Sequence, residues 1–408
     1  MKTGRSFPSA FVTKKAETAL KNGHPWVYGE EITMQSPDIK NGELVDVFSQ
    51  KGSYLGTGFY SEMSKIKIRI LSDNANETFS AAFFERRLRY AVDYRRTVMG
   101  ADFHCCRLIF GEADGLPGLT VDRFENILVC QVLSYGMDLI KGDIFRCLAR
   151  ILLDEGEKID GVFERNDVAI RELEGLPQYK GWYEIEGLEH PDNTNVTITE
   201  NSIKYNVDFE NGQKTGFFLD QKYNRLAVSK FAKGKTVLDC FTHTGSFALN
   251  AALGGAKSVT AVDISADAVK LAEENAELNG IENIEFMTAD VFDLLPELEK
   301  TSKRKYDFII LDPPAFTKSR KTVANAQKGY KEINFRAMKL LGRGGYLATC
   351  SCSHFMSNEL FVKMLKSAAA DAGVQLKQIE VRQQSCDHPI LWNVPETDYL
   401  KFYIFQIV

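Results

Sequence analysis

The stretch from Val237 to Asp263 constrains the fold most. A short apolar run ends at Asp239, a loop with one glycine, Gly245, follows, an apolar helix is expected from Ser246, and a second apolar run ends at Asp263. Strand, loop, helix and strand in this order build a parallel sheet, because parallel neighbours need a long crossover. In such units the ligand lies beyond the C-terminal ends of the strands, so Asp239, Phe241, Gly245 and Asp263 are expected to line one crevice.

An acid ending the second strand, with Ile264 beside it, is where such folds place a carboxylate on ribose hydroxyls. Pyrophosphate binding needs several glycines so that backbone N–H groups can approach the anion, and only Gly245 occupies this loop. The full G-x-G-x-x-G is missing. A ligand with ribose and adenine but no pyrophosphate fits better than NAD, so S-adenosylmethionine is the expected cofactor and a nicotinamide-dependent oxidoreductase is disfavoured. The plainer alternative is an α/β core whose acids merely cap helices or face water.

At 408 residues and 44% hydrophobic, the chain is long enough for two or three domains. It has no run of about 18 apolar residues, and Met1 to Phe11 has no signal-peptide core, so a soluble cytoplasmic protein without membrane contact is expected. Eight cysteines without a C-x-x-C pair point to reduced thiols. The net charge of −5 argues against bulk electrostatic coating of nucleic acid. Positive charge is nevertheless concentrated at the front, with 15 Lys and Arg against 11 Asp and Glu in residues 1–100.

Short alternating runs over residues 1–73 suggest a small β-barrel. In Lys65-Ile-Lys-Ile-Arg-Ile-Leu, the isoleucines take one face and Lys65, Lys67 and Arg69 the other, a basic ladder for either solvent or RNA. From Thr78 to Met99 the period is helical, and Arg86, Arg87, Arg89, Arg95 and Arg96 can grip phosphates or bridge to acids on a neighbouring domain. Strand-like runs and a further helix complete a small α+β domain over 74–190. A polar stretch from Gly187 to Asn195 marks a boundary, and 191–408 forms the last domain. Near its start, an exposed pair, Phe217 and Phe218, followed by Asp220, Gln221 and Arg225, either closes over the ligand or belongs to an ordinary helix. Helices then alternate with strands, giving a doubly wound sheet closed by a terminal hairpin.

Four consecutive expected strands lead to Asp239, Asp263, Asp290 and Asp312, and Cys350 and Cys352 follow the fifth. Asp290 is placed for an adenine amino group. After Asp312 come Pro313, Pro314, Ala315 and Phe316, a stiff turn suited to hold a planar base by hydrogen bonds and by stacking on Phe316. Cys350-Ser-Cys-Ser-His354 reads as part of a metal site, as inert thiols, or as a nucleophile; no second cluster supports a metal. A thiolate is what pyrimidine chemistry requires, because carbon 5 becomes nucleophilic only after something adds at carbon 6.

Asp239-Cys-Phe-Thr-His-Thr-Gly-Ser-Phe, Asp312-Pro-Pro-Ala-Phe, Cys350-Ser-Cys-Ser-His, Thr215-Gly-Phe-Phe-Leu-Asp-Gln and Asp387-His-Pro resemble the large-subunit ribosomal RNA cytosine-C5 methyltransferases of the RlmI type. His24-Pro-Trp-Val-Tyr and Gly115-Leu-Pro-Gly-Leu-Thr-Val-Asp extend the resemblance over nearly the whole chain. It implies an N-terminal PUA domain, a small central domain, a class I methyltransferase domain with a seven-stranded sheet, S-adenosylmethionine as cofactor and 23S ribosomal RNA as partner, with a homodimer left open. By that resemblance the nucleophile falls on Cys352, while Cys350 sits where other RNA cytosine methyltransferases carry theirs, so both stay candidates. Asp312 would hold the cytosine. Asp239, Gly245, Asp263 and Asp290 would hold the cofactor, with Phe217, Gln221, Phe241 and Ile264. Two rivals remain: an RNA methyltransferase acting on nitrogen through the Asp-Pro-Pro loop, and a non-catalytic ribosome assembly factor.

Overall fold

The computed structural model describes residues 6–301, 305–317 and 319–408; the first five residues, at the head of the expected barrel, lie outside them. The chain forms two compact units. One comprises the chain up to Ile198 with Val207–Leu219 and Cys386–Thr397, and the other Thr199–Asn206, Asp220–Ser385 and Asp398–Val408.

In the first unit, strands β1 (Ser9–Val12), β2 (Trp26–Tyr28), β3 (Ile32–Gln35), β4 (Leu44–Ser49), β5 (Tyr54–Tyr60) and β6 (Ile66–Ser72) form one sheet in the order β2-β6-β5-β4-β1-β3. Helix α1 (Lys14–Lys21), capped by Thr13, adds Ala16 and Leu20 to a core of Val12, Val27, Val45, Val47 and Ile68. The basic ladder expected on β6 does not form. Bulges in both β6 pairings shift the register, and Arg69, 8% exposed, turns to a buried carboxylate, with its guanidinium 2.8 Å from Glu174. A buried glutamate needs a cation more than the strand needs its alternation.

A second sheet comprises β7 (Cys105–Phe110), β8 (Leu119–Phe124), β9 (Ile127–Val132), β10 (Gly161–Arg165) and β11 (Lys180–Tyr183), in the order β11-β10-β9-β8-β7. Helix α2 (Ala81–Met99) precedes it, and α3 (Tyr135–Asp154) crosses between the parallel β9 and β10. All five arginines of α2 have protein partners. Arg86 meets Glu77, Arg89 meets Glu85, Arg95 meets Asp114 at 2.5 and 2.8 Å, Arg96 meets Glu155 and Glu157, and Arg87 donates to the Leu71 carbonyl. These acids all belong to the 74–190 segment, Glu85 to α2 itself, so the arginines pair within their own domain rather than bridging to a neighbouring one. Of the pair expected to be exposed, Phe217 is buried, at 3% exposure, and Phe218 is half-buried, in a segment tied to the first unit by Thr215 Oγ1 donating to Asp122 at 2.6 Å.

A two-stranded sheet of β12 (Asn195–Glu200) and β13 (Ile203–Asp208) leads to α4 (Lys222–Ala232) and the main sheet of the second unit. That sheet contains β14 (Thr236–Cys240), β15 (Ser258–Asp263), β16 (Ile284–Thr288), β17 (Phe308–Leu311), β18 (Tyr346–Ser351), β19 (Leu376–Arg382) and β20 (Lys401–Ile407), in the order β16-β15-β14-β17-β18-β20-β19. The helices between them are α5 (Ser246–Leu253), α6 (Ala266–Leu278), α7 (Val291–Thr301), α8 (Val323–Leu340) and α9 (Asn358–Ala372). Strands β14 to β18 run parallel, and β20 is antiparallel to both neighbours.

Alternate residues of the parallel strands feed two cores. Leu238, Cys240, Ile309 and Leu311 pack with Ile333 of α8 and Phe361 of α9, while Val237, Phe308 and Ile310 pack with Phe247 and Ala251 of α5. Burial on both faces is why these strands read as unbroken apolar runs. Strand order reverses between β14 and β17, so a ligand crevice is expected beyond their C-terminal ends.

Candidate active site

The loop after β14 is held in an uncommon backbone. Phe241 (φ 65°), His243 (φ 50°) and Gly245 (φ 78°) all lie in the left-handed region. Two of the three carry side chains, a cost tolerated where surroundings impose it, as at ligand clamps. The surroundings are visible here. Asp263 Oδ2 accepts from His243 N at 2.9 Å, its Oδ1 accepts from Ser265 N at 3.0 Å, and Asn275 of α6 donates to the Thr244 carbonyl. Asp263 thus holds the loop through backbone donors while retaining lone pairs for a ribose.

Asp239 is fully buried. Thr242 Oγ1 donates to its Oδ2 at 2.6 Å, and Oδ1 has no hydrogen-bond partner among the described residues. Burial pushes this carboxyl up to about 8, against the Thr242 hydrogen bond, and the nearby Asp312 charge adds to the rise. The Ala248 N–H beside it offsets only part of this rise, and a buried acceptor short of a partner at this strand end is what a ligand donor would complete. Asp290 Oδ1 accepts from Phe292 N at 2.8 Å and so caps α7. Ile264 is 68% exposed beside Asp263.

Gly245 cannot readily change. A Cβ there would stand 2.9 Å from Ala272 Cβ at a φ that side chains avoid. Gly245→Ala is expected to cost about 1–2 kcal/mol and lower the melting temperature by roughly 2–6 °C. Scanning calorimetry checks this; an unchanged melting temperature would show that the loop relaxes freely.

The acid ending the fourth parallel element faces a thiol. Cys350 Sγ donates to Asp312 Oδ1 at 3.0 Å, and Gln221 Nε2 donates to the same oxygen at 3.1 Å and lies 3.6 Å from the sulfur. Gln221, proposed from sequence for the cofactor, therefore sits on Asp312 and Cys350, steadied by Asn224 at 2.7 Å. Burial raises Asp312 to about 6, partly offset by the Cys350 hydrogen bond and increased by the Asp220 charge. Cys350 is fully buried, and burial followed by the Asp312 charge pushes its thiol well up. Such a thiol is a poor nucleophile.

Cys352 differs. It is half-buried, just beyond the end of β18, with its sulfur 4.0 Å from the Pro313 carbonyl oxygen. Pro313 is buried and Pro314 exposed. Phe316 packs on Tyr330 with ring centroids 4.6 Å apart and on Phe292 at 5.7 Å. Among the described residues, no cluster of His, Cys, Asp and Glu is placed to hold a metal.

Residues 11–73 match the model of a PUA-like domain, and residues 178–394 match that of an S-adenosylmethionine-dependent methyltransferase. The chain is 38% identical to the ribosomal RNA large subunit methyltransferase I of Klebsiella pneumoniae (strain 342), over 100% of both chains. It is 43% identical to the protein of that name from Photobacterium profundum, over 96% of this chain and 98% of the relative. The chain belongs to the ribosomal RNA large subunit methyltransferase I family. Membership makes it an S-adenosylmethionine-dependent methyltransferase of large-subunit ribosomal RNA. A protein described as a methyltransferase from Streptococcus mutans shares its fold, with a TM-score of 0.81 at 22% identity over 98% of this chain and 99% of that one. A solved methyltransferase complexed with S-adenosylhomocysteine shares it at 0.83, with the same identity and coverage. No helix among the described residues is long and apolar enough to cross a membrane.

For this family the crevice is a fitting cofactor site: Asp239 offers a bare buried acceptor, and Asp263 a carboxylate fixed at a strand end. Sequence reasoning missed Thr242, Tyr330 and Lys401. Thr242 lay in the quoted loop without a role. Tyr330, whose hydroxyl receives a 3.0 Å bond from Ser351, looked like any apolar position of a helix. Lys401 had a visible signal, a lysine heading the apolar run Phe402-Tyr-Ile-Phe.

Proposed function

We propose that the protein makes 5-methylcytosine in 23S ribosomal RNA, with Cys352 as nucleophile and Asp312 holding the base. The observation that carries this is one acid and two thiols with divided roles. Cys350 is buried on Asp312, whereas Cys352 is partly open, its sulfur facing the backbone of the rigid Asp312-Pro-Pro turn. A nitrogen-methylating enzyme needs no such cysteine.

Cys352 Sγ adds to carbon 6, forming an S–C bond as the C5=C6 double bond opens and its electrons move to carbon 5. Asp239 and Asp263 would hold S-adenosylmethionine, whose sulfonium methyl would pass to carbon 5, a C–C bond forming there as the S–CH3 bond breaks. A base then takes the proton from carbon 5, the double bond re-forms, and the thiolate is expelled. Asp312 serves the addition step. Raised to about 6, it is close enough to neutral pH to share a proton with N3 as ring charge builds, while its second oxygen accepts from the exocyclic amine. The Cys350 and Gln221 donors fix that carboxyl in place. The PUA-like barrel would hold RNA by shape and phosphate.

The test is methyl transfer from labelled S-adenosylmethionine into protein-depleted 23S RNA lacking the modification, followed by nucleoside analysis. 5-Methylcytidine is the expected product. A methylated purine, or methyl on the cytidine amine, would replace this reading with nitrogen methylation, and cofactor binding without transfer to any form of the RNA would favour an assembly factor.

A further inference from the structure

Lys401 is a buried charge that the reaction above leaves without a role. It heads β20, is 5% exposed, and lies opposite Ser351 in the β18 pairing. Its Nζ donates to the Ser353 carbonyl at 2.7 Å and to the Tyr399 carbonyl at 2.9 Å. Burying an ammonium ion is strongly unfavourable unless hydrogen bonds and opposite charge compensate it. The two carbonyls take two of its three protons without neutralising its charge. The residues on either side of Cys352 are both fixed: Ser351 donates to Tyr330, and Ser353 is held by Lys401 and by its own hydroxyl on the Thr317 carbonyl at 2.9 Å.

We propose that Lys401 is a positioning residue for Cys352, its buried ammonium anchoring the Ser353 carbonyl and supplying the positive charge against which the thiolate forms. The groups facing Lys401 are Asp398 on its own segment and Cys352 on the β18 loop. Burial lowers Lys401 to about 8, opposed by Asp398 and Cys352, so it keeps its charge at neutral pH. The other titratable groups felt near Cys352, Tyr330 on α8 and Cys350 on β18, are both pushed up by burial and stay neutral there. A cation beside a cysteine lowers its pKa and raises its reactivity at neutral pH. As Lys401 loses its proton above pH 8, that support fades.

The inference rests on reading Cys352 as the nucleophile, so its deciding measurement uses neither RNA nor methyl donor, and methylation is read separately. The full-length protein is alkylated with iodoacetamide from pH 5.5 to 9.5, and modification of Cys352 is followed by peptide mass spectrometry, with buried Cys350 as internal reference. The expected midpoint for Cys352 lies below the value of about 8.5 for an unperturbed cysteine. Lys401→Met should slow Cys352 alkylation at pH 7 by about tenfold or more, and Lys401→Arg should restore it to within about threefold of wild type. A wild-type midpoint at or above about 8.5 overturns the proposal, and that measurement decides even if Lys401→Met does not fold. So does a folded Lys401→Met variant with the wild-type profile. If Cys352→Ala abolishes methylation while the alkylation profile ignores Lys401, the inference alone falls. If Cys352 is activated through Lys401 but its replacement spares methylation, the nucleophile reading alone falls.

Discussion

Cys352→Ala is expected to lower methyl transfer to 23S RNA by on the order of 10³-fold or more while leaving S-adenosylmethionine affinity within about threefold. The effect is large because an unactivated cytosine has no nucleophilic carbon 5, so the missing thiolate removes the step on which the others depend. Cofactor binding should survive because its expected contacts, Asp239 and Asp263, belong to other strand ends. Cys350→Ala should behave differently. It removes one donor from the Asp312 carboxyl and opens a small cavity, for a loss of roughly tenfold in rate. Single-turnover methylation with both variants, beside calorimetric titration with the cofactor, separates the roles. A Cys350 variant that is inactive beside an active Cys352 variant would exchange the two assignments.

Asp239→Asn should stabilise the ligand-free protein and weaken cofactor binding at the same time. A carboxyl raised from 3.8 to about 8 opposes folding once the unfolded chain ionises, so its cost grows as pH rises from about 4 to about 8 and disappears in acid. The full displacement corresponds to on the order of 5 kcal/mol, and even a fraction of it is measurable. At pH 8 the asparagine variant is expected to melt at least about 4 °C higher than wild type, and at pH 5 the difference should shrink to about 1–2 °C. S-Adenosylmethionine affinity should fall by roughly tenfold or more, because an amide replaces a carboxyl that can ionise against a ligand donor and whose Oδ1 has no protein partner. Thermal melts at the two pH values with cofactor titration check both halves. A pH-independent gain would rule out ionisation as the source of the cost, and unchanged affinity would take Asp239 out of the cofactor site.

Much of the second unit was legible beforehand. Strands buried on both faces must be continuously apolar, their ends must turn polar, and helices must join parallel neighbours, so β14, β15 and β17 and their terminal acids could be located by pattern. Ser265 as a helix cap was equally local, and its hydroxyl accepts from Ala268 N. Charged residues of the first unit were not legible in this way. The alternation of Lys65 to Ile70 placed Arg69 outward, and the α2 arginines left two destinations open. For Arg69, Arg95 and Arg96 the answer lay in acids farther along the chain, Glu174 for Arg69, Asp114 for Arg95, and Glu155 and Glu157 for Arg96.

The sequence by itself determined the kind of sheet, the edge at which its acids collect, and through its motifs the family, because these depend on periodicity and on residues close together in the chain. The tertiary structure alone decided which cysteine is buried against Asp312 and which is left partly open, that Gln221 belongs to that acid, and that Lys401 reaches the loop of Cys352. The physical reason is that burial and charge pairing set the reactivity of a thiol or an acid, and both depend on groups that meet only when distant strands come together. Cys350 and Cys352 are two residues apart in sequence, yet one is sealed and the other half-buried.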